Sequence, residues 1–565
     1  MSQDPKIGVF VCECSGEIGK KIKCAELASY AASLEGVKEV QMHQAYCMPS
    51  GLQEIKKAVA AHGLDRIVVA GCSPRTHEVL FMKALSETSL NPYMLDVVNV
   101  RDHAAAVTPN EEATTRKASA MLKIAVARVT RLAPLENSRV KPDKGVVVIG
   151  AGLAGLSTAK ELVARGLKVL LVERSDVAGG LLRRCHTMLP GPHTTEEFLT
   201  KLLADLNKNP HIEFMFGAEI TSLKGQTGAY ELRVRNPNGE RKVPVGALVV
   251  ASGAEEFLPE GLFGFNGRDV LTQTEFESLL QRNPDPFKKS IAMIQCAGGR
   301  SDRIPYCSRT CCMTAVKNAL WIKEQKPSTE VSILFRDIYT GGPLHERDIR
   351  TAAERGIRFF RYDPDNPPVV ERQGEGSALH PLKVVVRDIL SGTKKELPCD
   401  LIVLSNPLIP SRDSQNLAAI LGLPIDRYGF LIDHYVRVKP SHFVEKGVFV
   451  CGNAHFPLSP YECQVQAFGV AARVANLLLQ EELKGNAFYS EVDESKCIAC
   501  GLCESTCFYH AIKVIQDEKG RKARSSEVNC LGCGTCAAGC PMQAISMRHF
   551  TDAQISSQIA AAASY

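Results

Sequence analysis

Long hydrophobic runs are missing from this sequence. No uncharged apolar stretch approaches the roughly 18 residues that read as a membrane-crossing helix, so no span is expected. Charge of one sign is not in large excess either. The formal net charge is +5 over 565 residues, too little for a general nucleic-acid binder, although a local basic patch is compatible with it. The start, MSQDPKIGVFVCECSG, has no basic segment leading into a long apolar core, so no secretory signal is expected.

Cysteine, by contrast, is abundant, with 21 residues. In a large chain without a signal, tight C-x-x-C spacings point to metal or cluster ligands rather than disulfides, and so to a reducing cytoplasm. The apolar fraction of 45% and charged fraction of 23% are those of a soluble globular protein. Its length calls for several domains.

The chain is organised around VVVIGAGLAGLSTAKELVARGLKVLLVE, Val146 to Glu173. Val146–Ile149 reads as a buried parallel strand. Gly150, Gly152 and Gly155 form G-x-G-x-x-G, with Leu153 and Ala154 inside the motif. A helix pattern runs from Leu156 to about Arg165, and a second strand, Lys168–Val172, ends at Glu173 and Arg174. The first glycine makes a tight turn, the second lets backbone approach a pyrophosphate, and the third lets helix pack on strand. The helix N-terminus favours the anion, and Glu173 would accept from a ribose hydroxyl. Gly179, Gly180 and Leu181 offer another close backbone approach. Ala247–Gly253, ending in Ala251, Ser252 and Gly253, resembles the strand that returns to the FAD site in two-dinucleotide flavoproteins. Gly447–Asn453, followed by a helix from Cys463 to Gln480, resembles their second FAD motif. After Gly452 that motif usually has aspartate. Here it is Asn453, whose amide can still hydrogen-bond a hydroxyl.

Where a nicotinamide-binding insert would begin, the strand Ser290–Ile294 runs into Gln295-Cys296-Ala297-Gly298-Gly299-Arg300, with no G-x-G-x-x-G. Instead Cys296, Cys307, Cys311 and Cys312 fall within 17 positions, the last two opening a helix. Four thiols so placed can fold around one cluster, which would displace the pyrophosphate turn and argue against NAD(P) here. Four buried free thiols are the alternative.

Residues 1–140 read as a separate α/β module. Strands at Lys6–Val11, Val37–His43 and Arg66–Ala70 lead to Cys12 and Cys14, to Cys47, and to Cys72. In an open α/β sheet such strand ends face one crevice, so these thiols can hold a cluster. That Cys47 and Cys72 are ordinary buried cysteines is equally open. His77 and Glu78 read either as supports for that site or as polar loop residues. A long helix, Thr114–Leu132, leads into a linker over 133–144.

The plainest motif comes last. Cys497, Cys500, Cys503, Cys507 and Cys530, Cys533, Cys536, Cys540 are two C-x2-C-x2-C-x3-C runs, the bacterial two-cluster ferredoxin pattern, in which the fourth cysteine of each run ligates the other cluster. Cys497, Cys500, Cys503 and Cys540 are expected to hold one 4Fe–4S cluster, and Cys530, Cys533, Cys536 and Cys507 the second. Phe508 stands where the first run would have proline. The Ala/Ser-rich tail, residues 551–565, is expected to fray.

VCEC near the start, CSPRTHE at 72–78, GAGLAGL at 150–156, PYCSRTCC at 305–312 and the twin ferredoxin runs together resemble the heterodisulfide reductase A-subunit family over nearly the whole chain. The resemblance implies a multidomain α/β protein. Its parts would be an N-terminal α/β cluster domain (1–140), a thioredoxin-reductase-like FAD-binding domain of Rossmann type (141–485), a two-cluster ferredoxin domain (486–550) and the tail (551–565). It implies FAD and four 4Fe–4S clusters, with Cys12, Cys14, Cys47 and Cys72 holding one and Cys296, Cys307, Cys311 and Cys312 another near the flavin. It also implies a lysine close to the reactive edge of the flavin, here Lys317, as proton donor or electrostatic tuner. On the residues alone a solvated helix lysine is the ordinary reading. After Cys12 the chain departs from the family's usual CGxNI, reading Cys14-Ser15-Gly16-Glu17-Ile18. Cys24, Cys185, Cys399, Cys451 and Cys463 are left as packing thiols, with no CxxC dithiol to spare.

A flavin exchanges electrons in pairs or singly, and a 4Fe–4S cluster singly. The leading expectation is therefore one component of a multisubunit oxidoreductase, its FAD joining cluster chains in electron bifurcation or confurcation involving ferredoxin. Two alternatives stand beside it. One is a non-bifurcating relay in a quinone-interacting complex. The other is an NAD(P)H-dependent enzyme like the glutamate synthase small subunit, which the missing second G-x-G-x-x-G disfavours. Expected partners are ferredoxin and other subunits of a redox complex, such as those of heterodisulfide reductase, hydrogenase or formate dehydrogenase. A homodimer would rest on analogy.

Overall fold

Four strands near the N-terminus form a parallel sheet. β1 (Ile7–Cys12), β2 (Val37–His43), β3 (Arg66–Gly71) and β4 (Leu95–Asn99) lie in the order β2-β1-β3-β4. β1 is buried along its whole length, which is why it reads as a continuous apolar run rather than an alternation. The long helix α1 (Glu111–Val129) is capped by Asn110, whose Oδ1 accepts from Ala113 N at 2.8 Å. The computed structural model describes residues 4–188, 194–282, 289–341, 343–373, 380–432, 447–518 and 520–565. These form two compact units, Met1–Arg139 with Lys484–Tyr565, and Val140–Leu483.

The second unit holds two five-stranded parallel sheets. In the first, β5 (Gly145–Ile149), α2 (Leu153–Ala164), β6 (Lys168–Val172), β7 (Ile212–Met215) and β8 (Ala247–Val250) join the late strand Val448–Val450. From one edge the order is Val448–Val450, β8, β5, β6, β7. The helix begins at Leu153, earlier than the periodicity suggested, because Gly152 already serves as its N-cap. The second sheet comprises β9 (Val270–Thr272), β10 (Ser290–Ile294), β11 (Glu330–Phe335), β12 (Arg358–Arg361) and β13 (Leu401–Leu404) in the order β9-β13-β10-β11-β12. Helices α3 (Gln273–Arg282) and α4 (Cys311–Gln325) lie between its strands in sequence, and α5 (Pro460–Leu478) follows the late strand of the first sheet.

Each sheet has a topological switch point, where the chain leaves a strand toward one neighbour while a later strand lies on the other side. The first falls between β5 and β8, the second between β10 and β13. Their backbones match. Gly150 N donates to Val172 O (2.7 Å) and Ala251 N to Ile149 O (2.8 Å), while Gln295 N donates to Leu334 O (2.9 Å) and Ser405 N to Ile294 O (2.8 Å).

The tail does not fray. Residues Asp552–Ala563 form helix α6, started by a capping box between Thr551 and Gln554. Its alanines favour helix, and contacts with α1 and the segment after it hold it in place. Gln554 Nε2 donates to Arg131 O at 2.9 Å, Ser557 Oγ to Ala127 O at 3.3 Å, and Tyr565 OH to Arg116 O at 2.8 Å. The N-terminal α/β residues and the ferredoxin-like residues, expected as separate domains 1–140 and 486–550, thus share one unit. Part of the expected linker is also tied down within that unit, with Ala133 O accepting from His549 Nε2 at 2.7 Å. Among the described residues no helix is long and apolar enough to cross a membrane.

Candidate redox sites

Three strand ends meet at the first switch point. Gly150 has φ +105°, and a Cβ there would lie 2.4 Å from Ala251 O. A Cβ on Gly155 would lie 1.9 Å from Gly150 O. Both positions exclude any side chain. Gly152 and Gly253 differ, because a Cβ on either meets no other part of the chain within 4 Å. Leu153 and Ala154 open α2 here, where free N–H groups suit an anion. Gly179 N donates to Ala151 O at 2.8 Å, and a Cβ on Gly180 would approach Gly152 Cα to 3.2 Å. The glycine pair, with Leu181 after it, therefore packs on the turn. A Cβ on Gly452 would lie 2.6 Å from that of Ala154. The buried hydroxyl of Ser252 has no hydrogen-bond partner among the described residues. A backbone cradle open at Gly152 and Gly253, beside an unpaired hydroxyl, fits a bound dinucleotide.

Glu173 clamps this turn. Its Oε2 accepts from Ala151 N at 2.7 Å and its Oε1 from Ser175 N at 3.0 Å, leaving acceptor capacity for a hydroxyl. Arg174 is drawn instead into ion pairs with Asp413 and Glu255. Asn453 Oδ1 accepts from Leu458 N at 2.7 Å, so it is as a donor that this amide would meet a ligand.

Lys317 is not a solvated lysine. It is 7% exposed, with Nζ 2.8 Å from Glu277 Oε1 and 2.5 Å from Thr187 O. Glu277, on α3, also accepts from His186 N at 2.8 Å and Asn318 Nδ2 at 3.2 Å. The network continues from Asn318 Nδ2 to Gln273 Oε1 (2.8 Å) and from Gln273 Nε2 to Ser405 Oγ (3.1 Å). His186 and Thr187 follow the Gly179–Gly180 turn of the first half, whereas α3 and α4, which carry the ion pair, belong to the second. The halves are therefore joined by the hydrogen bonds from Lys317 Nζ to Thr187 O and from His186 N to Glu277. The sequence reading missed Glu277. Its one signal was an acid on the buried face of α3, beside Phe276 and Leu280.

At the second switch point thiols gather. Cys296 lies just beyond β10 with φ +58°, Cys307 is in the following loop, and Cys311 and Cys312 open α4. Burial first, then Cys312 and Cys307, push the Cys296 thiol up to about 11, against the pull of Arg300. Cys311 is pushed up by the hydrogen bond it gives Cys312 and by burial, and accepting that bond lowers Cys312 to about 7. Arg309, in the same loop, reaches Tyr339 OH (2.9 Å) and Glu462 Oε1 (2.5 Å) at the N-terminus of α5. A compact four-thiol set with Arg300 beside it suits an iron–sulfur cluster.

In the first unit, Cys12 ends β1, Cys47 follows β2 and Cys72 follows β3. Cys14 Sγ lies 3.4 Å from Cys72 Sγ. Burial, with Cys14 and Cys47 adding, pushes Cys12 up, and burial and Cys14 push Cys72 up to about 12. Arg101, just after β4, brings Nη1 to 4.0 Å from Cys14 Sγ and pairs with Asp102 at 3.0 Å. It escaped the sequence reading because β4 did. Glu78 is pushed up by burial and by Asp96, with Arg128 opposing, so its surroundings are those carboxylate and guanidinium groups rather than the thiols.

In the ferredoxin-like region, one cavity is lined by Cys497, Cys500, Cys503 and Cys540, and a second by Cys507, Cys530, Cys533 and Cys536. Each cavity draws its fourth thiol from the other run. The repeat is local as well, since Ala511 N donates to Cys507 Sγ and Ala544 N to Cys540 Sγ, both at 3.3 Å. Among the described residues no three Cys, His, Asp or Glu side chains are drawn together for a lone metal ion. Of the remaining cysteines, Cys24, Cys399, Cys451 and Cys463 are buried and Cys185 is half-buried.

A dinucleotide cradle at one switch point, thiols at the other and two cysteine-lined cavities in a further region define an iron–sulfur flavoprotein oxidoreductase. Residues 144–294 match the pyridine nucleotide-disulphide oxidoreductase family and residues 490–547 the 4Fe-4S dicluster domain. The chain is 30% identical to the iron-sulfur A-subunit of the CoB–CoM heterodisulfide reductase of Methanocaldococcus jannaschii, over 98% of each chain. It belongs to the heterodisulfide reductase A-subunit family. It is also 30% identical to the A-subunit of the H(2)/formate:CoB-CoM heterodisulfide,ferredoxin reductase of Methanococcus maripaludis, over 98% of each chain. Its identity to the A-subunit of the ferredoxin:CoB-CoM heterodisulfide reductase of Methanosarcina acetivorans is 27%, over 91% of this chain and 79% of that one. Among solved structures, T. acidophilum thioredoxin reductase shows 18% identity and a TM-score of 0.39, covering 60% of this chain and 98% of that one.

Proposed function

We propose that this protein is the electron-transferring subunit of a larger redox complex, its FAD the junction between 4Fe–4S chains, and that the complex couples a two-electron reaction to ferredoxin by electron bifurcation or confurcation. One observation carries the reading: four thiols stand at the second switch point, where an NAD(P)H-dependent flavoenzyme would hold its nicotinamide dinucleotide. Bound FAD would supply exchange of electrons in pairs or singly, and 4Fe–4S clusters exchange of single electrons.

The residues have distinct tasks in this scheme. Gly150, Gly152, Gly155, Gly179, Gly180 and Gly253 let the backbone close on FAD, and Ser252 and Asn453 donate to it. Glu173 orients the ribose. Cys12, Cys14, Cys47 and Cys72 hold one cluster, and Cys296, Cys307, Cys311 and Cys312 a second. The two cysteine-lined cavities hold the third and fourth. Lys317, positioned by Glu277 and Thr187 O, keeps a positive charge and a transferable proton where the two halves of the FAD-type unit meet. The partners would be the other subunits of the complex and ferredoxin. The relatives' names bring heterodisulfide, H2 and formate into view as its outer substrates.

Anaerobic purification should give about 16 iron per chain together with FAD. Less than half that iron would reject the four-cluster arrangement. Flavin bleaching by NADH in the isolated chain would overturn the argument from the second switch point. In the assembled complex, Lys317→Ala should uncouple ferredoxin reduction. Unchanged coupling would remove Lys317 from its proposed role.

A further inference from the structure

Gln295 occupies a position that, at the first switch point, admits no side chain. Its backbone hydrogen bond to Leu334 O matches that of Gly150 to Val172 O, and a Cβ on Gly150 would collide with Ala251 O at 2.4 Å. The second turn is therefore opened for something other than a pyrophosphate. Gln295 is 0% exposed, and neither its Nε2 nor its Oε1 has a hydrogen-bond partner among the described residues. Two unpaired ends on one fully buried amide are costly and call for a partner.

The direction of the side chain follows from the strand. Along β10, Ile291 and Met293 pack with Ala315, Val316 and Ala319 of α4, while Ala292 and Ile294 pack on the opposite face. By alternation Gln295 continues the Met293 face. That face is covered by α4, whose first residues are Cys311 and Cys312, and Cys296 is the next residue in the chain. The nearby polar side chains are already engaged: Gln273 Nε2 bonds Ser405 Oγ, and Gln273 Oε1 accepts from Asn318. Tyr362 OH is committed to the backbone oxygen of Gln295.

We infer that the Gln295 carboxamide is a hydrogen-bonding partner of the cluster held by Cys296, Cys307, Cys311 and Cys312, donating N–H to a cluster or cysteine sulfur and raising the potential of that cluster. The inference rests on the proposed placement of a cluster at these thiols. An N–H donated to sulfur stabilises the more negative, reduced form, so its removal lowers the potential. Gln295 is in this sense a positioning and tuning residue, not a ligand.

The test uses the full chain with its cofactors. Gln295→Met keeps the length and removes the donor. It should retain parental iron and FAD content, while an EPR-monitored redox titration shows one cluster shifted to lower potential and the others unmoved. Full iron with every potential unchanged would overturn the inference and leave the cluster placement standing. Should Gln295→Met fail to take up iron, Gln295→Leu, which is uncharged and equally without N–H, is read in the same way. Cys311→Ala separates the two claims. Loss of about four iron supports a cluster at these thiols, and unchanged iron removes that cluster and the inference with it.

Discussion

The buried ion pair between Lys317 and Glu277 allows a quantitative test. Glu277→Gln removes the carboxylate that receives Lys317 Nζ, His186 N and Asn318 Nδ2, and it leaves the ammonium in a site where Lys317 is 7% exposed. Breaking a buried pair by removing one partner costs about 3–5 kcal/mol. The lower end applies here, because Thr187 O still accepts from Nζ and a glutamine oxygen can still accept from His186 N. Lys317→Met strands the carboxylate instead and should cost about 3 kcal/mol. The double variant leaves no charge behind and should recover much of the loss, for a coupling energy of about 2–3 kcal/mol in the cycle. The single tryptophan, Trp321, lies on α4 with its ring 4.7 Å from that of His186, so its fluorescence follows unfolding of this unit in urea. A separate probe is needed for the other unit, since two compact units need not unfold together. If the two single losses simply add in the double variant, the pair is not coupled and the reasoning is refuted.

Other outcomes follow from the same geometry. Gly152→Ala should leave the fold intact and weaken FAD binding, whereas Gly155→Ala, whose Cβ would lie 1.9 Å from Gly150 O, should not fold; flavin content and Trp321 fluorescence distinguish them. Cys507→Ala should disrupt the cluster of Cys530, Cys533 and Cys536 and spare its neighbour, and selective loss of the other cluster would reject the crossed arrangement. Deleting residues 551–565 should speed hydrogen exchange in α1, because α6 lies against that helix; unchanged exchange would show the contact to be energetically empty. Asp269 is held below the ordinary carboxylate range, chiefly by the Arg372 hydrogen bond, so the stability it contributes is present at neutral pH and fades as pH falls through its lowered value. Asp269→Asn should be less stable than the parent at pH 7, and the gap should close as the pH drops below about 4. A gap independent of pH would point away from the ion pair.

The motifs that could be read from the sequence are those whose chemistry is local. The two ferredoxin runs have fixed spacing because three ligands to one cluster must come from a single short turn, so even the exchange of Cys507 and Cys540 between cavities could be anticipated. The same holds for Gly150, Gly152 and Gly155, where one turn must both bend and leave room. Strand ends at Cys12 and Cys72 could be placed as well, since β1 and β3 are nearly continuous apolar runs, and Cys47 follows β2, whose sequence is mixed in polarity. Tertiary structure alone decided the rest. It paired Glu277 with Lys317, brought Arg101 to Cys14, drew Arg174 to Asp413 and Glu255, and gave the alanine-rich tail a helix to lie against. Apart from the acid on the buried face of α3, none of these has a sequence signature, because a charge or a weak helix is stabilised by whatever the fold brings beside it. Burial makes an unpaired charge costly, and a short helix gains its stability from packing. Partners far apart in the chain therefore become visible only once the sheets have placed them together.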